Sequence, residues 1–258
     1  QKKIAEYLNK IVPEIDALYT DIEKELETIE EYKKSKIEEI FEKYKDKYDY
    51  INTKLVRISK LITKQTGFDY TSYIKPSLVG EETENTLPFI QTKNFKNNYF
   101  SFDTDYFIPK DVAQKFPKII LNNKCLLFSI SGASIGNVSV FPGTRDAFLG
   151  GAICKVDLID EDMCEYVKYF VMSSTAQNYI MINIYSSAQG NITVQNVRDI
   201  KLPIFEKGVE KQITYELKNM VNEADEINNL LKKQLETIEE YKKSLIYEYV
   251  TGKKEVSI

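Results

Sequence analysis

The chain has 258 residues, of which 43% are hydrophobic and 29% are charged, and its formal net charge is −4. The apolar fraction is large enough for a buried core, which argues against a disordered or fibrous chain. Because the sequence contains no histidine, it lacks the commonest general base near neutral pH and the commonest metal ligand. Catalytic triads and zinc sites that depend on histidine are therefore excluded, and we expect no metal and no cofactor.

The cysteines and the apolar stretches indicate a cellular compartment. Cys125, Cys154 and Cys164 are odd in number and show no Cys-x-x-Cys spacing, which is typical of buried, reduced thiols. No apolar stretch approaches the roughly 18 residues of a membrane-spanning helix, and the N-terminal sequence lacks the apolar region of a signal peptide. We therefore expect a cytoplasmic protein with no membrane partner. Because position 1 is Gln rather than Met, we expect a fragment or a processed product.

The first predicted element is a long amphipathic helix within residues 1–51. Its apolar residues recur at spacings of three and four, as expected for a helix with one apolar face. They are Ile4, Leu8, Ile11, Ile15, Leu18, Ile22, Leu26 and Ile29. Pro13 lies inside this pattern. Since proline removes one backbone hydrogen bond, we expect a kink or a short break there.

The middle segment, residues 52–208, is rich in turn residues and in β-branched and aromatic runs, which favour strands. We predict a mixed α+β domain, with helices near 55–63 and over 161–182. The segment carries 17 basic and 15 acidic residues, whereas the two flanking segments are net acidic. This difference has the direction expected if the middle segment meets a polyanion and the helices meet protein.

Residues 132–136 fit Gly-x-Ser-x-Gly, the pattern of the hydrolase nucleophile elbow. That elbow needs a strand before the serine, a helix after it and a histidine to take its proton. Here the following residues, 137–141, predict a second strand, and the chain has no histidine. We therefore predict a tight β-hairpin whose glycines permit positive φ or a close backbone approach. Its small polar residues are suited to approach a phosphate backbone, although a purely structural turn fits equally well.

The last predicted element, residues 209–258, repeats the first. LETIEEYKKS occurs at 26–35 and again at 235–244, and an ungapped alignment pairs residues 1–37 with 210–246. The second apolar seam is Ile213, Leu217, Met220, Ala224, Ile227, Leu231, Leu235 and Ile238. Neither long helix can bury its seam alone. We predict that the two pair antiparallel, the alternative being that each packs on a separate domain.

Taken in order, these segments resemble the specificity subunit of type I restriction-modification systems (HsdS). QKKIAEYLNKIVPEIDALYTDIEKELETIEEYKKSKI resembles the family's central conserved helix, and LVRISKLITKQTGFD resembles the opening of a target recognition domain. LPFIQTKNF, KCLLFSISGASIGNVSVF and AQGNITVQNVRDIKLPIF resemble its successive conserved blocks. The second copy, ending in LIYEYVTGK, resembles the C-terminal conserved helix. The resemblance covers nearly the whole chain but only the second half of a complete family member, and the junction LPIFEKGVEKQI has a single proline where the family shows a Pro-rich turn.

The resemblance implies an α+β fold with one mixed α/β target recognition domain plus two long helices forming an antiparallel coiled coil. Conserved helix 1 would occupy 1–51, the DNA target recognition domain 52–208 and conserved helix 2 209–258. It further implies a non-catalytic subunit, with no catalytic residues, that binds double-stranded DNA and methyltransferase (M) subunits, and restriction (R) subunits through the complex. A homodimer is implied if the chain is a half-subunit. Similar antiparallel helices are related by an approximate two-fold axis, and their length would set the spacing between two half-sites.

Candidate DNA contacts are chosen by chemistry, because base edges need donors and acceptors while phosphates need cations, hydroxyls or backbone amides. They are Gln91, Thr92, Lys93, Asn94 and Lys96 in one loop, Ser131 and Ser134 at the hairpin, Arg145, and Gln189, Asn191 and Thr193 in the block AQGNIT. For the loop residues a plain solvated loop is the alternative. For Arg145 the alternative is a surface salt bridge with Asp146 or another acid.

Two other function classes compete with DNA recognition. The first is a coiled-coil spacer or scaffold whose middle domain binds protein rather than DNA. The second is an enzyme, such as a self-contained methyltransferase or nuclease. The sequence offers little support for an enzyme, because it shows no nucleotide-binding glycine motif between a strand and a helix and no carboxylate clustering typical of a metal site.

Overall fold

The computed structural model describes residues 2–96, 99–187, 190–206 and 208–255. The fold is a mixture of helices and open sheets with a long helix at each end of the chain, which confirms the predicted fold class. The α-helices are α1 (Lys2–Lys47), α2 (Gly67–Asp69), α3 (Lys110–Ala113), α4 (Cys164–Met172), α5 (Ser174–Tyr185), α6 (Val194–Asp199) and α7 (Val209–Val250).

Along the chain, the strands of the described residues all come after α1 and before α7. They are β1 (Tyr50–Lys54), β2 (Ser59–Lys64), β3 (Thr86–Ile90), β4 (Phe95–Lys96), β5 (Tyr99–Phe100), β6 (Phe107–Pro109), β7 (Ile120–Leu121), β8 (Cys125–Ser129), β9 (Val138–Phe141), β10 (Ala147–Leu149), β11 (Ile153–Leu158) and β12 (Lys201–Phe205). The chain divides into two compact units: the first comprises Gln1–Lys36 and Glu216–Ile258, and the second comprises Ile37–Tyr215.

The first unit is an antiparallel pair formed by most of α1 and α7. Asn228 Nδ2 donates to Glu30 Oε1 at 2.6 Å, and the rings of Tyr7 and Tyr249 lie 4.8 Å apart between centroids. Residues early in α1 therefore contact residues late in α7, which confirms the predicted antiparallel pairing. Of the kink or short break expected at Pro13, the break does not occur, since α1 is one uninterrupted helix through that residue.

The two copies of the repeat make equivalent contacts. Lys33 Nζ donates to Asp225 Oδ1 at 2.6 Å, and Lys242 Nζ donates to Asp16 Oδ1 at 2.5 Å. Lys242 is the repeat counterpart of Lys33, and Asp16 is the repeat counterpart of Asp225. Exchanging the two copies therefore turns one ion pair into the other, as an approximate two-fold axis requires.

Part of the predicted seam is exposed. Leu18 and its repeat counterpart Ile227 are 52% and 49% exposed, whereas Val221 and Asn228 are buried beside the predicted Leu231. Two paired helices bury only a narrow stripe of each, so some residues of a broader apolar face remain outside the contact. In α7 the buried stripe therefore runs through Val221 and Asn228, each one residue after the predicted Met220 and Ile227.

The second unit is built on two four-stranded sheets with the strand orders β6-β3-β10-β7 and β2-β11-β8-β9. The pairing of β3 with β10 is parallel, and every other pairing in these two sheets is antiparallel. β1 pairs with β12, and β4 pairs with β5, in two-stranded sheets. Phe89, Leu127, Phe141, Phe148 and Ile153 belong to one buried cluster drawn from both four-stranded sheets. That shared core fixes the strand ends from which the candidate loops extend.

The last part of α1 packs within the second unit. Phe41 is 1% exposed, and its ring meets those of Tyr166 and Phe170 edge-on at 5.6 and 5.3 Å between centroids. The hydroxyl of Tyr166 donates to the Pro203 carbonyl at 2.6 Å. Burying these rings together with their one polar group satisfied anchors the helix to the sheet domain.

The predicted local structure is right in one helix and wrong in another. The prediction for 161–182 is confirmed by α4 and α5, which are separated at Ser173, where the Oγ accepts from Ala176 N and caps α5. The helix predicted near 55–63 is wrong: a 3₁₀ turn over Leu55–Ile58 leads into β2. β-branched residues such as Ile62 and Thr63 favour the strand because β2 pairs with β11.

Candidate nucleic-acid interface

The loop after β3 is held by one buried amide. Asn94 Oδ1 accepts from Gln91 N at 2.8 Å, and Asn94 Nδ2 donates to the carbonyls of Ser101 and Asp103 at 2.8 and 2.7 Å. Asn94 is completely buried. Every polar group of its side chain is engaged within the loop, so Asn94 positions its neighbours and has no free donor or acceptor for a base.

The other candidates of this loop are more accessible. Gln91 and Thr92 are half-buried, and Lys93 is exposed and forms an ion pair with Asp105. The backbone of Lys96 lies in β4, and its side chain falls outside the described residues. An exposed ion pair contributes little to stability, so Lys93 can exchange Asp105 for another anion at small cost.

The hairpin of β8 and β9 confirms the rejection of the hydrolase motif. A strand follows the Gly-x-Ser-x-Gly pattern, and the connection is residues 130–137, longer than the tight turn predicted. Gly132 and Gly136 have φ values of +84° and +89°, which L side chains rarely adopt. Ser134 Oγ lies 3.1 Å from Ser129 Oγ, within hydrogen-bond distance, and Ser131 is half-buried. The glycines therefore bend the chain so that small hydroxyl residues occupy the tip.

The third predicted block precedes α6. Thr193 Oγ1 accepts from Asn196 N at 3.1 Å and thereby caps α6, and Asn191 N donates to Ser187 Oγ at 3.4 Å. Thr193 is exposed and Asn191 is half-buried. Gln189 lies outside the described residues. The capping role fixes the backbone at Thr193 because it satisfies an otherwise free N–H of the first helical turn.

Backbone hydrogen bonds bring the three blocks together. Ile130 accepts from Ile192 N at 3.2 Å and donates its own N–H to the Ala152 carbonyl at 2.9 Å. Gly150 N donates to the Ile90 carbonyl at 2.8 Å, which ties the same turn to the end of β3. The short turn between β10 and β11 is therefore the point at which the hairpin tip and the loop after β3 meet.

A cavity of about 350 Å³ opens at this meeting point. Three predicted residues line it: Gln91, Thr92 and Ser131. The sequence interpretation missed the remaining lining residues, which are Gln65, Thr66, Gly67, Tyr70, Phe89, Gly150, Gly151 and Ala152. The pair Gly150-Gly151, at the start of an apolar run, is the signal that could have identified this turn, since adjacent glycines mark a close backbone approach.

Arg145 lies apart from the cavity lining. Its Nη1 donates to Glu82 Oε1 at 2.8 Å, and its guanidinium carbon lies 4.4 Å from the centroid of the Phe102 ring. The acid that Arg145 meets is thus Glu82 and not its neighbour Asp146. Both members of the ion pair are about half exposed, so the guanidinium is accessible to a further anion.

The cysteines take no part in this site. Cys125, Cys154 and Cys164 are free and buried, and burial raises the pKa of Cys154 and of Cys164 to about 12. Over the described ranges, no three His, Cys, Asp or Glu side chains cluster so that they could hold a metal ion. Within the same ranges, no helix combines the length and apolarity needed to cross a membrane.

Comparison with known proteins places this arrangement in a family. The model of the type I restriction modification DNA specificity domain matches residues 29–237. The type I restriction enzyme MjaVIII specificity subunit of Methanocaldococcus jannaschii is 23% identical over 271 residues, covering 98% of this chain and 60% of that protein.

Two solved structures share the fold. The HsdS subunit from Thermoanaerobacter tengcongensis superposes with a TM-score of 0.55 and 10% identity, over 96% of this chain and 57% of that one. A structure described as the basis of complex assembly and conformational transition of the type I R-M system superposes with a TM-score of 0.57 and 12% identity, over 95% of this chain and 59% of that one. This chain thus spans about three fifths of the length of these relatives. Because the family model covers most of the chain, including parts of both long helices, the protein belongs to the family of type I restriction modification DNA specificity domains.

Proposed function

We propose that this chain is a DNA-recognition subunit of a type I restriction-modification complex and that it has no catalytic activity of its own. The observation that carries the proposal is the family match over residues 29–237, in which the sheet domain and parts of both repeat helices are matched together. The backbone hydrogen bonds that link the three candidate loops support it, because a specific reader needs several polar side chains on one surface. Its place of action is the cytoplasm.

The target recognition domain is the segment 52–208, which reads one half-site of duplex DNA. Gln91, Thr92, Ser131 and Asn191 are accessible candidates for bases or phosphates. Lys93 and Arg145 approach phosphates by exchanging their present carboxylate partners for the DNA backbone. Asn94 acts indirectly, by holding the loop from which Gln91 and Thr92 extend. Contacts with DNA are proposed as well for four residues of the same sequence blocks, Lys96, Ser134, Gln189 and Thr193.

The helices, over 1–51 and 209–258, dock the methyltransferase subunits, which in turn recruit the restriction subunits. The repeat also supports assembly of two copies. Phe41 is buried within the sheet domain, whereas Val250, at the equivalent position of the second copy, is 68% exposed. Val250 is therefore free to pack against a second recognition domain, in the way that Phe41 packs against the first. Another copy of the chain would supply that second domain.

The test is selection from a randomised duplex pool, with and without the cognate methyltransferase subunit, at two salt concentrations. We expect a short enriched motif whose recovery depends on the partner and whose binding weakens with salt. The slope of log K against log salt should be about −0.9 per neutralised phosphate. Partner binding without enrichment would restrict the chain to an assembly role. Binding to neither DNA nor partner would overturn the proposal.

A further inference from the structure

The cavity at the meeting point of the loops contains a buried acceptor without a partner. Gln65 is 3% exposed, and its Nε2 donates to the Leu149 carbonyl at 2.7 Å. A carbonyl oxygen can only accept, so this bond fixes which end of the amide faces Leu149. Gln65 Oε1 is then left buried and has no hydrogen-bond partner among the described residues.

An unpaired buried oxygen of this kind is unfavourable. Leaving a buried acceptor unsatisfied costs about 1–3 kcal/mol, and nearly all such groups in folded proteins find a partner. Gln65 lines the cavity, but its Oε1 lies just below the accessible surface beside Gly151. A small movement of the amide toward the cavity would let an N–H donor of a bound molecule satisfy the oxygen. The protein therefore gains binding energy from the ligand at an atom that its own fold leaves unpaired.

The two glycines of the turn keep this corner of the cavity free of side chains. A Cβ at Gly151 would lie 3.2 Å from Gln65 Oε1, and Gly151 itself is exposed. A Cβ at Gly150 would lie 2.3 Å from the Ile90 carbonyl oxygen, which is too close for any side chain. Larger residues would crowd the amide oxygen or force the turn away from β3.

The rest of the lining indicates the shape and charge of the ligand. Tyr70, which is half-buried, contributes an aromatic side chain, which favours flat ligands, and Gln91, Thr92 and Ser131 contribute neutral polar groups. The Phe89 ring packs against Phe148 in the core and is not available to a ligand. None of the described lining residues is Asp, Glu, Lys or Arg. A phosphate or a carboxylate is therefore a poor fit, whereas a neutral heteroaromatic ring with an amino group is a good one.

We propose that the cavity takes one nucleobase with an exocyclic amino group, adenine or cytosine, and that Gln65 Oε1 accepts a hydrogen bond from that amino group. The inference rests on the proposed DNA-reading function, because the base then comes from bound DNA, turned out of its stack. A free nucleoside offers the same chemistry, and the experiment separates the two sources. A volume of about 350 Å³ is within the range of small-molecule pockets.

The first arm measures nucleoside binding to the full chain by ligand-detected nuclear magnetic resonance at millimolar concentrations. Adenosine is compared with inosine, and cytidine with uridine, because each pair exchanges an amino donor for a carbonyl acceptor. We expect the amino member of at least one pair to bind about tenfold more tightly, which corresponds to about 1.4 kcal/mol. Gln65→Met should abolish the difference, while Gln114→Met, at an exposed glutamine, should retain it.

Thermal unfolding of the Gln65→Met variant checks that a loss of nucleoside binding is not caused by a loss of the fold. Since Gln65→Met removes the unpaired oxygen together with the Leu149 hydrogen bond, the ligand-free variant should unfold within a few degrees of the wild type. Equal binding of amino and carbonyl nucleosides, or no binding of any of them, overturns the proposal.

The second arm uses the duplex recovered by selection, with 2-aminopurine placed in turn beside each adenine and cytosine. A base that leaves the stack raises the fluorescence of its neighbour, so we expect one position to brighten on binding and Gln65→Met to suppress the change. Nucleoside discrimination without brightening identifies a free nucleoside as the ligand. Tight duplex binding with neither signal overturns the base pocket and leaves the DNA-reading function standing. Absence of duplex binding refutes that function, and the nucleoside arm still decides the pocket.

Discussion

Lys33 and Asp225 form a nearly buried ion pair between α1 and α7, with the lysine side chain 3% exposed and the aspartate side chain 11% exposed. Their repeat equivalents, Lys242 and Asp16, form the same ion pair with side chains 31% and 52% exposed. One sequence motif therefore occurs in two environments within a single chain. Lys33 also contacts Glu30 Oε1 at 3.1 Å, so the two pairs differ in burial and in this added carboxylate.

We expect Lys33→Met to destabilise the helix pair far more than Lys242→Met. Removing Lys33 leaves Asp225 buried, and breaking a buried pair on one side costs about 3–5 kcal/mol. Removing Lys242 leaves an aspartate that water can solvate, which costs about 0–1 kcal/mol. The free energy of unfolding from urea titration is the measurement. Equal losses for the two variants would contradict the burial difference.

Substitutions at Asn94 and Thr92 distinguish a residue that holds the loop after β3 from one that is placed to contact DNA. Asn94→Ala removes three buried hydrogen bonds and should lower the free energy of unfolding by about 2–4 kcal/mol. Thr92→Ala lies at the cavity and should change it by less than about 0.5 kcal/mol. Urea unfolding and duplex affinity should be measured for both. A stable Asn94→Ala variant would show that the loop is held by other contacts.

The turn that joins the loops can be tested with two glycines of the cavity lining. Gly150→Ala should destabilise the protein by about 1–3 kcal/mol, because its Cβ would meet the Ile90 carbonyl oxygen at 2.3 Å. Gly67→Ala has no atom within 4 Å of its Cβ and should be neutral or slightly stabilising. Melting temperatures of the two variants, compared with the wild type, give the result. A fully stable Gly150→Ala variant would mean that the turn can move away from β3.

The buried thiols predict a pH dependence. Burial raises the pKa of Cys154 and Cys164 to about 12, whereas the thiol of the unfolded chain ionises near its ordinary value of about 9. The raised pKa leaves the free energy of unfolding unchanged below about pH 9. As the pH rises from about 9 to 12, the free energy of unfolding should fall, because only the unfolded state releases its thiol protons.

The same burial predicts a low thiol reactivity. At pH 8 the folded protein should react slowly with a disulfide reagent such as Ellman's reagent, and denaturant should expose three thiols. Rapid reaction of the folded protein would contradict this burial.

The sequence predicted the helix pair well because the signal is local and repeated. Spacings of three and four along α1 and α7 identify helices without any knowledge of their partners, and the repeat indicates their symmetry. The strand β2 was harder to predict, since the preference of Ile62 and Thr63 for a strand is realised only by pairing with β11. Register details such as the exposure of Leu18 depend on the width of the actual contact, which one sequence does not specify.

The candidate site was predicted in composition but not in geometry. Gln91, Thr92 and Ser131 were identified because polar side chains in loops suit DNA contacts. Gln65 was missed because it follows a strand directly, and only the hydrogen bond to Leu149 distinguishes it from any other glutamine. Asn94 looked like a contact residue in the sequence, and its burial depends on the chain curling back at Ser101 and Asp103.

The ring contact between Tyr7 and Tyr249, whose planes are tilted by 46°, shows that the beginning of α1 lies beside the end of α7. A short glycine-serine linker can therefore join the two ends, and new ends can be opened between Gly80 and Glu81, both of which are exposed. In such a circular permutant the two repeats would follow one another along the chain as a helical hairpin. Lys33 and Asp225, now separated by 192 positions, would then lie 66 positions plus the linker apart, 33 on each side of the junction, and the helix pair should form earlier in folding.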